Sequence, residues 1–223
     1  ISKVCNIVYR YVNQIVVLSP GFKNLLIDRG VPENKIRVIY NWADEKGIRG
    51  LDDERANDIV DIEGFKILYA GNVGPAQGIG VILEAANLLK DSFPKVNFFI
   101  MGHGIELEDI KARAKELNLN NLHFLPAVAT DKVGSFLESA DALLVHLIAN
   151  RLFEITIPGK TQAYMAKGKP MIMGVSGDAA KLVTSADCGV CIEPQNATSL
   201  ANAAKKLMSL SKTELDNMGD NGK

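Results

Sequence analysis

The chain has 223 residues and a formal net charge of −1, from 25 Lys+Arg against 26 Asp+Glu; 47% of it is apolar, 23% charged and 6% aromatic. That balance excludes intrinsic disorder and gives no overall electrostatic case for a nucleic-acid partner. The longest apolar runs, such as Ala142 to Ile148, fall far short of the roughly 20 residues of a membrane span.

Residues 3–13 have a helical pattern, and Ile15 to Leu18 is a short buried-type strand. Ser19-Pro20 opens a helix through Asp28, with Ser19 as N-cap and Gly30 as the stop. Lys35 to Ile39 alternates like a strand. Residues 41–64 are rich in Asp, Glu, Arg, Gly and Asn and read as a linker. Strands and helices then alternate. Strands are predicted at 65–70, 96–101, 122–125, 142–147, 170–173 and 190–192. Helices are predicted at 77–90, 106–117, 131–139, 160–167, 177–184 and 197–210. Such alternation, with near-continuous apolar strands, predicts an α/β fold: a Rossmann-like doubly wound parallel sheet over 65–210. Residues 211–223 read as a helical tail.

Cys5, Cys188 and Cys191 are too few and too unevenly spaced for a disulfide framework, which favours a reducing, cytoplasmic compartment. Asn6, Arg10 and Asn13 interrupt the first segment, so it does not read as a signal peptide. The chain opens at Ile1 inside a helical pattern and stops abruptly after Met218 to Lys223. It reads as a fragment.

Parallel sheets of this kind bind ligands at the carboxyl ends of their strands, and four loops there stand out. Gly71-Asn72-Val73-Gly74-Pro75-Ala76-Gln77-Gly78 turns tightly into a helix N-terminus, where free amides and the helix dipole favour an anion. Gly102-His103-Gly104 permits close approach. The segment from Glu154 through Pro158-Gly159-Lys160-Thr161 puts a Lys at a helix start. That placement opposes the dipole unless the Lys meets an anion. Gly174 to Asp178 is another small-residue loop. Each of the four also reads as an unliganded strand-to-helix turn. Cys188 and Cys191 spell C-x-x-C, but on a strand they face opposite sides, and no second pair completes a zinc site. His123 reads as structural. His146, near a strand's carboxyl end, reads either as structural or as facing the cleft. No metal-ligand cluster is apparent.

Taken in order, these segments resemble the C-terminal half of a GT-B glycosyltransferase of the group 1 (family 4) type. The resemblance is carried by Ile15-Val-Val-Leu-Ser-Pro, Gly30 to Asn41, Leu68-Tyr-Ala-Gly71 with Gln77-Gly78, Met101-Gly-His-Gly104 and Ser139-Ala-Asp141. It continues through Pro158-Gly-Lys160, Tyr164 to Pro170 and Met218 to Gly222. It implies the tail of an acceptor domain at 1–40, a linker at 41–64 and a donor domain at 65–210. It also implies a retaining transfer from a nucleoside-diphosphate sugar, with no cofactor and no essential metal. Gly71, Asn72, Val73, Gly74 and Gln77, with Pro158, Gly159, Lys160 and Thr161, would approach the diphosphate. Gly102, Gly104, Ala127 and Val128 would border the base. Glu154 matches the first carboxylate of the family's E-x7-E motif, near the donor sugar.

There are departures. Asn72 and Gln77 stand where the family commonly has Arg and Lys, exchanging two charge-assisted bonds of about 1.5–3 kcal/mol each for neutral ones. The second Glu is absent. Anchoring on Ala166 to Pro170 puts Ala163 in its place, and anchoring on Glu154 puts Gln162 there; the first register needs no gap. Gln162 or Thr161 takes over the ribose contact, or ribose binding differs. The run Pro158 to Ala166, with the Gly71-Asn72 loop, looks most like a bacterial subgroup that adds N-acetylated amino sugars, such as N-acetylfucosamine, in O-antigen or capsule assembly. The resemblance thus implies a UDP-amino sugar donor and a glycan or lipid-linked acceptor met through the N-terminal domain. A lipid-linked acceptor would bring the full-length protein to the inner face of the membrane. A UDP-sugar epimerase and a non-catalytic binding domain are the alternatives on the same fold.

Overall fold

Apolar runs in the sequence become strands buried on both faces. The computed structural model describes residues 2–43, 48 and 53–223. Its main sheet has six parallel strands: β3 (Phe65–Asn72), β4 (Val96–His103), β5 (Leu122–Pro126), β6 (Ala142–His146), β7 (Met171–Gly174) and β8 (Gly189–Cys191). Their order is β5-β4-β3-β6-β7-β8. The chain winds outward from β3 through β4 to β5, then returns and winds the other way from β6. The strand order therefore reverses between β3 and β6, and a doubly wound sheet opens a crevice at that reversal. Seven of the eight β4 residues are buried, as a strand covered on both faces requires.

Helices cover the two faces as separate layers. On one lie α4 (Gly80–Leu89), α5 (Leu107–Glu116) and α10 (Ala197–Met208), packed through Ile82, Leu83, Ile110, Leu200 and Leu207. On the other lie α3 (Asn57–Val60), α6 (Val133–Ser139), α8 (Gly159–Lys167) and α9 (Asp178–Ala186), packed through Ile59, Phe136, Tyr164 and Val183. The tail α11 (Lys212–Asp220) starts with a capping box between Ser211 and Glu214. It docks so closely on the end of α8 that a Cβ on Gly219 would lie 2.1 Å from the Gly168 carbonyl.

The N-terminal segment forms a small unit of its own. The helices α1 (Ser2–Tyr11) and α2 (Pro20–Asp28) accompany two parallel strands, β1 (Ile15–Val17) and β2 (Ile36–Val38). Val17, Leu26, Val31 and Ile36 are its core. Ser19 caps α2 as its position before Pro20 predicts, accepting from the Phe22 amide at 3.2 Å. It also donates to the Ile155 carbonyl, and the Gly21 amide donates to the buried Asp178 carboxylate. These bonds join the small unit to the main sheet's crevice side.

In the predicted linker, residues 44–47 and 49–52 lie outside the described residues. Residues 53–60 fold onto the main domain, with Ala56 and Ile59 buried beside α6. Partly buried Ile62 and an ion pair of 3.6 Å between Asp53 and Lys132 add to that docking. The structure also adds α7 (Arg151–Glu154), a single turn that periodicity does not predict, capped by Asn150 accepting from the Leu152 amide.

Candidate functional site

The β3 and β4 ends meet without side chains. A Cβ on Gly102 would lie 1.8 Å from the Gly71 carbonyl oxygen, and φ there is +153°. Only glycine permits this approach. Beside it opens a pocket of about 200 Å³ lined by Gly71, Asn72, Gly102, His103, Ala127 and Val128. The tertiary structure thus brings together loops predicted separately after three strands. Larger hollows of about 580 and 680 Å³ lie elsewhere, at the α1–β2 junction and between α4 and α5. The first lies away from the strand ends; the second borders the loops after β3 and β8 only through Gly78 and Gln195 and is otherwise lined by residues at α4 and α5.

Lys160 comes to the same strand end from the opposite side. It belongs to the first turn of α8, yet its ammonium donates to the Ala70 carbonyl at 3.0 Å and lies 4.2 Å from the centre of the Tyr69 ring. A Cβ on Gly71 would lie 2.5 Å from Lys160 Nζ, so the glycine makes room for the cation. Among the described residues, the groups it meets there are neutral. Burial pushes its pKa from 10.5 down to about 8. At pH 7 it still carries its charge, in a place that favours an incoming anion.

The ends of β3 and α8 are fastened by two tyrosines that sequence reading did not single out. Tyr164 O–H donates to the Ala70 carbonyl and accepts from the Ala70 amide, both at 3.2 Å. Tyr69 O–H donates to the Asn72 carbonyl at 2.6 Å. Burial raises both phenol pKa values well above the ordinary one, so both stay donors. Asn72 Nδ2 donates to Gln77 Oε1 at 2.8 Å. The two neutral residues at the Arg and Lys positions of the family pattern thus bond each other and leave Lys160 as the cation at this strand end.

Other predicted residues are placed differently. Val73 does not face the pocket: its side chain is fully buried, its amide donates to the His103 carbonyl, and its carbonyl accepts from the Glu106 amide. It shapes the loop. A Cβ on Gly104 would lie 2.0 Å from the Val73 carbonyl, so Gly104 serves the same crossing. The Gly74 carbonyl accepts from the Gln77 amide and closes the turn. Pro158 likewise accepts from the Thr161 amide at 2.8 Å. Gly159 has open space around it. Thr161 is fully buried with a hydroxyl oxygen that has no hydrogen-bond partner. Gln162 follows in α8, half-buried. Glu154 is exposed and stands apart from the pocket, in a groove of about 450 Å³ shared with Asn24, Asp28, Arg151, Asp178 and Lys181.

Of the two readings open for His146, the structure has the buried one: it is 1% exposed, with both ring nitrogens bonded to backbone groups. His123 is structural as expected, stacked on Phe99 at 4.8 Å and 3.2 Å from Asn97 Oδ1. Cys188 and Cys191 do not take opposite faces, because β8 begins only at Gly189. Both sulfurs turn to α9, that of buried Cys188 to the Val183 carbonyl at 3.7 Å and that of exposed Cys191 to the Ala180 carbonyl at 3.5 Å, and both are free thiols. No helix among the described residues is long and apolar enough to cross a membrane.

A family profile described as glycosyl transferases group 1 matches residues 52–223. The chain belongs to this family. The colanic acid biosynthesis glycosyl transferase WcaI of Escherichia coli (strain K12) is 25% identical over 211 residues, 90% of this chain and 51% of that protein. The glycosyltransferase WbjE of Pseudomonas aeruginosa is 24% identical over 220 residues, 96% of this chain and 54% of that protein. This group 1 chain therefore spans about half the length of the curated relatives it matches. Among solved structures, Anabaena Alr3699/HepE in complex with UDP and glucose aligns with a TM-score of 0.77 at 19% identity, over 99% of this chain and 60% of that one. The C-terminal domain of the group 1 family protein LpcC from Francisella tularensis gives 0.62 at 17%, over 79% of this chain and 93% of that one. These likenesses show the fold, a Rossmann-like α/β unit of the GT-B glycosyltransferases.

Proposed function

We propose that this chain is the donor half of a retaining hexosyltransferase. In this reading it binds a UDP-linked amino sugar for transfer to a polysaccharide or lipid-linked acceptor. The observation that carries the reading is Lys160: a half-buried ammonium with neutral neighbours, at the strand reversal where doubly wound sheets take their ligands. A diphosphate there supplies the missing counter-charge. The 200 Å³ pocket after β3, β4 and β5 lies on the other side of Gly71 and takes the base. Support for uridine comes from the HepE complex, which holds UDP and glucose.

Glu154 faces the groove beside α2 and serves the sugar side of the site. The acceptor is met through the lobe to which residues 1–40 belong, and that lobe seats on this one through Ser19 and Asp178. The chain alone binds donor without transferring it. No cofactor beyond the nucleotide sugar enters the reaction. A lipid-linked acceptor places the full-length protein in the cytoplasm at the inner face of the membrane.

An epimerase on the same fold needs a titratable side chain free at the crevice. Of the two residues that the sequence offers for it, Glu154 stands apart from the pocket and His146 is occupied on both nitrogens. Calorimetric titration of UDP against this chain, repeated with Lys160→Ala, tests the proposal. The expected result is UDP binding that weakens about 10- to 100-fold in the variant, as for loss of one charge-assisted bond. A folded chain with no detectable affinity for UDP overturns it.

A further inference from the structure

His146 closes β6 at the strand reversal, and its imidazole is used at both ends. Nδ1 lies 2.6 Å from the Gln77 carbonyl oxygen, and Nε2 accepts from the Gln195 amide at 2.9 Å. A carbonyl only accepts and an amide N–H only donates, so the two bonds require the neutral ring with its proton on Nδ1. The ring therefore joins the loop after β3 to the loop after β8.

Two further bonds complete a hub. The Ile148 amide donates to the Ala76 carbonyl at 3.0 Å, and the Ala149 amide donates to Gln195 Oε1 at 2.9 Å. Gly174 of β7 leaves the ring its room: a Cβ there would lie 2.5 Å from His146 Cδ2. Gln77 then passes the order on, because its side chain holds Asn72 at the end of β3. The hub thus spans the segments that carry Asn72 and Gln77 on one side and lead into Glu154 and Lys160 on the other.

We propose that His146 is a positioning residue, whose neutral imidazole holds the 72–78 loop in its donor-binding shape. The proposal rests on the donor reading given above. Protonation at Nε2 replaces its lone pair with an N–H, which cannot accept from Gln195, so acid opens the hub at that bond. Burial disfavours the charged ring and moves that protonation to lower pH. The titratable and charged groups on elements packed against this face are Tyr69 of β3, Glu84 of α4, Glu106, Asp109 and Arg113 at α5, Glu193 of the loop after β8, and Lys205 and Lys206 of α10. Lys160 lies against Tyr69. Among the described residues, none of these bonds the ring, so the loss of Nε2 as acceptor governs the response.

The test is the affinity of the chain for UDP-glucose between pH 5 and 7.5, by calorimetry. UDP-glucose is the probe because its diphosphate is a diester and keeps its charge across this range, unlike the terminal phosphate of UDP. The wild-type chain is expected to lose about 5- to 10-fold in affinity on acidification. His146→Asn keeps a donor for the Gln77 carbonyl and takes up no proton. It is expected to start about 3-fold weaker at pH 7 and then hold its affinity to pH 5. Any effect of exposed His103 at the pocket is common to both proteins and cancels.

Parallel pH profiles for the two proteins overturn the proposal, and so does wild-type affinity in the variant at every pH. Hydrogen exchange reads the hub without a ligand: the Gln195 amide is expected to exchange faster at pH 5 than the intrinsic pH dependence allows, in the wild type alone. If the wild-type chain binds no UDP-glucose at any pH, the donor reading falls, and the positioning role falls with it. The exchange measurement then still decides whether the hub opens in acid.

Discussion

Lys160→Met isolates the burial of one charge. In the folded chain the ammonium titrates at about 8 instead of 10.5. A pKa lower by one is worth about 1.4 kcal/mol between the two protonation states, so holding the charge in the fold costs about 3 kcal/mol. The unfolded chain keeps its proton up to pH 10.5 and the folded chain only up to about 8. Between those values the unfolded state binds more protons, so this residue makes stability rise with pH there. Methionine keeps an unbranched apolar stem of similar reach and removes the charge. It also forfeits the bond to the Ala70 carbonyl and the contact with Tyr69, together about 1–2 kcal/mol.

The variant is therefore expected to be more stable than wild type by about 1–2 kcal/mol at pH 7. Its advantage should disappear by about pH 10.5, where the wild-type lysine gives up its proton in the unfolded state as well. Urea unfolding of both proteins at pH 7, 9 and 10.5 measures this, and other titrating groups cancel in the difference. An advantage that stays constant with pH refutes the argument, because it would show that Lys160 is not charged at a cost. The same variant should bind UDP about 10- to 100-fold more weakly at pH 7. Stability gained and binding lost together are what a functional buried cation predicts.

Two other substitutions test the architecture around the site. Gly102→Ala forces a Cβ to within 1.8 Å of the Gly71 carbonyl at a positive φ. It should cost about 3–5 kcal/mol in urea unfolding, by strain in a packed backbone crossing. Asp178→Ala removes the carboxylate that accepts from the Gly21 amide where α2 meets α9. It should cost about 1–3 kcal/mol and speed hydrogen exchange at Gly21, while leaving UDP affinity unchanged.

Much of the fold is legible in the sequence because periodicity reports burial. The six main strands and their covering helices follow from apolar runs alternating with helical spacing, and the observed ends differ from the predicted ones by only a few residues. Helix starts are readable where a side chain makes the cap, as at Ser19. The single turn α7 is not, because four residues carry too little periodicity. Nor is the short fold at 53–60, whose two buried side chains, Ala56 and Ile59, stand among charges.

The candidate site divides along the same line. Glycines at strand ends announce close approach whatever their partner, so Gly71, Gly102 and Gly104 are visible in the sequence. Val73 is not placed correctly by its sequence context, because a buried valine and a pocket valine look alike in a loop. His146 stays open between two readings for a related reason: its position at a strand end does not say what both ring nitrogens will meet.

Composition and periodicity alone dictate an α/β sheet of parallel strands, the loops at their carboxyl ends and a cation among them. It takes the folded chain to show that Lys160 reaches Ala70, 90 residues away, that Ser19 reaches Ile155, and that His146 joins Gln77 to Gln195. The physical reason is that periodicity records which side of an element is buried. It does not record strand order, and strand order is what sets β3 against β6 and brings those distant groups within bonding distance.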